Sequence, residues 1–206
     1  MRPSVWLRGF ADTRIRGAAS PVDRESARPR ILASTLFILL CSCSFFSRTK
    51  NTIYSLDPIP GTPAAATART PIGIETIELP PGLDRREVVV RQANHQLEVR
   101  PNELWSTTLQ PLVLHTLAFD LASRLPEGAV VLPGAVKPAT MRGIDVTFEE
   151  LAAGPDQRVV LDAHWDGGHH EHIVVDIASL KSADVAEGLN KALAALADKI
   201  VTALPR

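Results

Sequence analysis

Alternating apolar and polar positions mark several strands in this chain. In "GIDVTFEEL", Ile144, Val146 and Phe148 alternate with Asp145, Thr147 and Glu149, which predicts a strand with one buried face. "GPDQ" then supplies a turn into "RVVLDAHWD", and "HIVVDI" carries Ile173, Val175 and Ile177 on one side of a last strand. Upstream, "TIYSLDP" reads as a short strand and "IGIETIELP" as a second, stopped by Pro80-Pro81-Gly82. "EVVVRQ" and "QLEVRP" flank a short polar "ANH" and predict a hairpin. Between the strands, the Pro-, Ala- and Thr-rich "PIPGTPAAATARTP" has no apolar period and is predicted to be a surface loop.

The period changes to helical in two places. A helix is predicted from about Asn102, a suitable N-cap, to Leu125, with Pro126 closing it. Its stripe is Leu104, Trp105, Leu109, Leu112, Val113, Leu117, Leu121 and Leu125, and Pro111 is expected to bend it or start a fresh turn. A second helix, about Ser182 to Leu204, places Val185, Leu189, Leu193, Leu196, Ile200 and Leu204 on one side. The expected architecture is α+β, a single mixed, mostly antiparallel sheet with two main helices packed against it. Trp105 and Trp165 are read as core residues.

The N-terminal part follows another logic. "RPRILASTLFILLCSCSFF" has a basic flank and an apolar run of about ten residues, too short for a ~30 Å hydrocarbon core. These are the regions of a secretory signal, and the two cysteines at its end suggest a lipoprotein. Ser42 before Cys43 is small, whereas Leu40 before Cys41 is large, so Cys43 is the expected lipidation site. Residues 1–42 are then an extension and signal peptide, 43–52 a tether, and 53–206 one domain. The first 29 residues fit an ordinary signal poorly; a start assigned too far upstream and a long basic leader are the two readings. With Cys41 removed and Cys43 acylated, no disulfide is expected.

Charge and motifs narrow the function. The chain has 22 Lys+Arg against 23 Asp+Glu. Many of its arginines lie at or before Arg48, so the domain beyond is acidic and nucleic acid is a poor partner. The sequence carries no G-x-S-x-G and no phosphate-binding glycine loop. Asp162, His164, Asp166, His169, His170 and His172 are dense enough in donor atoms to bind zinc or copper. Placed on and just beyond a Gly167-Gly168 turn, they are read as a solvated hairpin tip, and no metal, cofactor or catalytic residue is assigned. Asp84, Arg85 and Arg86, displayed after Pro-Gly, are the candidate partner-binding residues; a plain charged turn is the bland alternative.

"YSLDP", "LPPGLDRREVVVR", "LWSTTLQPLVLHTLAFDL", "VVLDAHWD" and a closing Ala/Leu-rich helix, in this order, resemble the PqiC-like family of ABC-type transport auxiliary lipoproteins over roughly Tyr54 to Leu204. The resemblance implies a non-catalytic, periplasm-facing lipoprotein of the outer membrane, anchored by its lipid. It would dock on a subunit of an MCE-type, ABC-driven lipid transporter and support envelope integrity, with self-association left open. Leu83, Asp84, Arg85, Trp105 and Trp165 match the family pattern as fold or contact positions. The Ala/Thr-rich loop and "DGGHHEH" depart from it. A stand-alone lipid- or small-ligand-binding lipoprotein is the alternative, and it would require an apolar cavity of several hundred Å³.

Overall fold

The structure is a computed structural model, and it describes residues 50–63 and 70–204. Cys43, the signal region, most of the tether and the centre of the Ala/Thr-rich loop lie outside those residues. Seven strands are present: β1 (Thr52–Tyr54), β2 (Ile72–Glu78), β3 (Glu87–Arg91), β4 (Leu97–Trp105), β5 (Arg142–Gly154), β6 (Arg158–Trp165) and β7 (His169–Asp176). Helix α1 (Leu109–Arg124) separates β4 from β5, and α2 (Ser182–Ala203) closes the chain.

The sheet runs β1-β4-β3-β5-β6-β7, with β2 also paired to β5. The long ladders β3–β4, β5–β6 and β6–β7 are antiparallel, while β1–β4, β2–β5 and the single β3–β5 pairing are parallel. The fold is therefore α+β with a mixed sheet, as expected. Strand β5 organises it. Most of its length pairs with β6, and β2 and β3 follow one another as its other parallel neighbours, at Arg142–Thr147 and at Ala153 respectively.

The first helix begins later than the apolar stripe predicted. Residues Asn102–Trp105 belong to β4, where Leu104 and Trp105 alternate outward and inward instead of facing one way. Pro101 is tolerated in that strand because β1 pairs only with Glu103–Trp105, leaving the preceding outer edge without a ladder partner among the described residues. Nor does Pro111 kink anything. It falls in the first turn of α1, where its missing N–H would have had no intrahelical acceptor.

One face of the sheet is apolar and covered. Val88, Val90, Ile144, Val146, Phe148, Leu151, Val159, Leu161 and Ala163 meet Val113, Leu117 and Leu121 of α1 and Leu189, Leu193, Leu196 and Ile200 of α2. Trp105 and Trp165, 2% and 3% exposed, are indeed in this core. Gly188 lets α2 sit close to the sheet, since a Cβ there would come within 2.5 Å of Ile177 Cγ2 and 2.7 Å of Val159 Cγ2.

A strap completes the domain. After β1 the chain does not continue as sheet but runs along both helices, and its backbone groups are met by side chains. The N–H groups of Asp57, Ile59 and Gly61 donate to Asn190 Oδ1, Asp120 Oδ1 and Ser123 Oγ, at 3.1, 2.7 and 3.1 Å. In return Arg124 Nη1 donates to the Ile59 carbonyl at 3.0 Å, and Leu56 is buried beneath. Alternate N–H groups of an extended chain point the same way, so donors two residues apart all face the helices, the first meeting α2 and the next two α1.

Candidate partner-binding surface

The segment between β2 and β3 carries the three residues singled out in the sequence, and the structure gives them different tasks. Asp84 Oδ1 accepts the N–H of Gln110 at 3.0 Å. Thr108, at the N-cap position of α1, makes no side-chain capping bond, so Asp84 satisfies a first-turn donor from a distant part of the chain. Arg85 is half-buried and paired through Nε with Glu87 Oε2 at 3.0 Å; Glu87's own backbone N–H, then Arg85, hold that carboxyl below its usual range. Arg86 is exposed, and its side chain forms no ion pair among the described residues. Its carbonyl accepts the Trp105 N–H at 2.6 Å. Of the trio, then, Asp84 bonds the first turn of α1, Arg85 bonds Glu87, and Arg86 has no ion-pair partner among the described residues.

Those bonds also explain why "LDRRE" and "LWSTTLQP" belong together. Gln110 is held a second time, its Nε2 donating to the Ile77 carbonyl at 2.6 Å. The two segments are distant in sequence but clasp each other at the start of α1.

A second feature was not anticipated. An open groove of about 810 Å³ lies between β4 and the start of α2, lined by Tyr54, Glu98–Glu103 and Ser179–Ala183. Arg100 spans it, with Nη1 2.8 Å from Ser182 Oγ, while Glu103 bonds the same hydroxyl. Leu97 and Val99, 45% and 38% exposed, stand on the same strand. No local sequence signal marks this groove, because it exists only through the approach of two segments about eighty residues apart. By contrast, an enclosed space among the described residues between sheet and helices, lined by Leu83, Val89, Trp105, Leu109, Leu151 and Leu189 among others, is about 10 Å³. That is barely room for one water.

The helix-free face of the sheet is polar and laced with ion pairs. Arg91 meets Glu150 at 2.6 Å and Arg158 meets Asp176 at 3.0 Å. Here the histidines depart from the expected hairpin tip, because β7 begins at His169 and not at His172. His170 and His172 are thereby in register with His164 and Asp162. His169 stacks instead on Trp165, and Asp166 sits in the turn, paired with Arg142. Asp162 lies below the usual carboxylate range, chiefly through its bond with His170, against the effect of burial and with His172 adding.

A family model described as "ABC-type transport auxiliary lipoprotein component" matches residues 54–201. The chain belongs to this family. The match runs from the end of β1 through nearly all of α2, and so takes in the strap, the capping segment and the groove. Among solved structures, an uncharacterized protein is similar over 74% of this chain and 97% of its own, at 19% identity and a TM-score of 0.62. A Xanthomonas campestris protein described under the DUF330 family is similar over 73% of this chain and 92% of its own, at 15% identity and a TM-score of 0.54. At these identities both show the fold alone. No curated protein matches the chain. Among the described residues of this auxiliary lipoprotein, no helix is long and apolar enough to cross a membrane.

Proposed function

We propose that this auxiliary lipoprotein is a non-catalytic docking subunit of an MCE-type, ABC-driven lipid transport system, anchored through Cys43 to the outer membrane and facing the periplasm. The observation that carries the reading, beside the family membership, is how little space, about 10 Å³, the described residues enclose where Leu83, Trp105, Leu109, Leu151 and Leu189 meet between sheet and helices. An enclosed space of about 10 Å³ cannot take an acyl chain, whereas ligand pockets for small molecules run to several hundred Å³. What the domain offers to other molecules is surface. The exposed Arg86, with Arg85 beside it, supplies charge on a segment whose backbone is tied down by the Trp105 N–H to Arg86 carbonyl bond and by Asp84. Such rim charges set the rate and salt dependence of capture more than the stability of the fold. The bond that Asp84 Oδ1 accepts from Gln110 supports the surface from the α1 side, and its exposed carboxylate stays within the candidate contact.

The test uses the full-length chain in detergent-solubilised envelope. Arg85→Glu/Arg86→Glu is compared with wild type in the capture of an MCE-type subunit and in thermal unfolding. Reduced, salt-sensitive capture with a near-wild-type melt is expected. Unchanged capture would remove the segment from the interface. A wild-type chain that captures no MCE-type subunit, yet co-purifies with stoichiometric phospholipid, would favour the ligand-binding alternative.

A further inference from the structure

The ladder between β6 and β7 sets Asp162 opposite His172 and His164 opposite His170, on the face away from the helices. Donor atoms of Asp162, His164 and His170 all lie within 4.8 Å of one another. The His164 and His170 rings stack with centroids 4.4 Å apart and planes 16° from parallel. His172 Nδ1 is 3.0 Å from Asp162 Oδ2, and Glu149 Oε1 is 3.1 Å from His164 Nε2. Glu149 stands on the same exposed face of β5 as Thr147, the register partner of His164, beside the bulge between Phe148 and Glu150. Five donor side chains from three adjacent strands thus share one patch.

The geometry points to a divalent transition-metal site on this face, with Asp162, His164 and His170 as ligands, His172 within reach, and copper(II) as the preferred ion. Ligands about 2.0–2.1 Å from an ion stand roughly 3–4 Å from each other. The three donors therefore need only small rotations about exposed side-chain bonds, on a backbone already fixed by ladders on both sides of β6. Two imidazoles and a carboxylate suit both copper and zinc, and for such a donor set affinity peaks at copper. Glu149 orients the His164 ring as carboxylates commonly orient metal-binding imidazoles. All the donors project from one side of a sheet, so they fill one hemisphere of the ion. Its remaining positions face solvent, which makes this an open site rather than a closed structural one.

The experiment is titration of the full-length protein, in detergent and without a polyhistidine tag, with copper(II) chloride and separately with zinc chloride. One equivalent of copper should bind, more tightly than zinc, and paramagnetic resonance should show coupling to more than one imidazole nitrogen. His164→Ala/His170→Ala should weaken copper binding by at least the ~10–100-fold that perturbing an outer ligand shell costs. His95→Asn and His115→Ala, outside the patch, should leave it unchanged. Thermal melts without metal control for folding, and these exposed positions should leave them near wild type. Copper affinity that is the same in the double variant, or weaker than about 0.1 mM in wild type, would overturn the assignment.

Discussion

Asp120 provides the sharpest test of how the strap is held. Its carboxyl is fully buried on α1. Oδ1 accepts the Ile59 N–H at 2.7 Å, and Oδ2 has no hydrogen-bond partner among the described residues. Arg124 lies one turn on, 3.8 Å away, but its closer bonds go to Asp198 Oδ1 at 2.6 Å and to the carbonyls of Ile59 and Asp120 at 3.0 Å. Burial pushes the Asp120 pKa from 3.8 up to about 6, with the Ile59 bond and Arg124 opposing the rise and Asp198 adding to it. The folded protein thus binds this proton more tightly than the unfolded chain does. Its contribution to stability is complete below about pH 4, declines as pH rises through 6, and levels off above. The difference between the two values corresponds to at most about 3 kcal/mol. Asp120→Asn keeps an acceptor for Ile59 and removes the titration. Denaturant unfolding of both proteins from pH 4 to 7.5 should show the variant gaining about 2–3 kcal/mol relative to wild type across that range. A difference between the two that does not change with pH would refute the reasoning.

Asp84→Ala should lose about 1 kcal/mol, as removal of a helix cap does, read as a lower melting temperature, while Arg86→Glu should melt like wild type. Gly188→Ala should cost roughly 1–3 kcal/mol by forcing α2 off Val159 and Ile177, measured by denaturant unfolding. Metabolic labelling with a palmitate analogue should mark wild type and Cys41→Ala and fail for Cys43→Ala; a labelled Cys43→Ala chain would contradict the anchor assignment. On a sucrose gradient the protein should travel with the outer membrane, since Ser44 follows Cys43 where an aspartate would favour inner-membrane retention.

What could be read from the sequence was whatever lay on a single period. Ile144, Val146 and Phe148 gave their strand away, and so did the long stripe of α2. Leu104 and Trp105 misled because they fit the helical spacing of Leu109 and Leu112 as well as the alternation of a strand, and only the pairing with β1 and β3 decides between the two. The start of β7 was hidden for a related reason: His169 to His172 are all polar, so alternation leaves no trace in them. The roles of Asp84 and Arg100 depend on partners far along the chain, Gln110 and Ser182. Buried Asp120 and Arg124 stand as breaks in an apolar stripe, and nothing local shows that a passing segment will need them.

The strap also has a mechanical meaning. Tension reaching the domain at residue 50 meets β1 first and then the bonds from Asp57, Ile59 and Gly61, which are spread over both helices instead of arranged on one strand edge. The load is divided between α1 and α2 before it reaches the β5–β6–β7 ladders. A chain held in this way takes a pull from its N-terminal side across two helices at once, and not along the edge of a single strand.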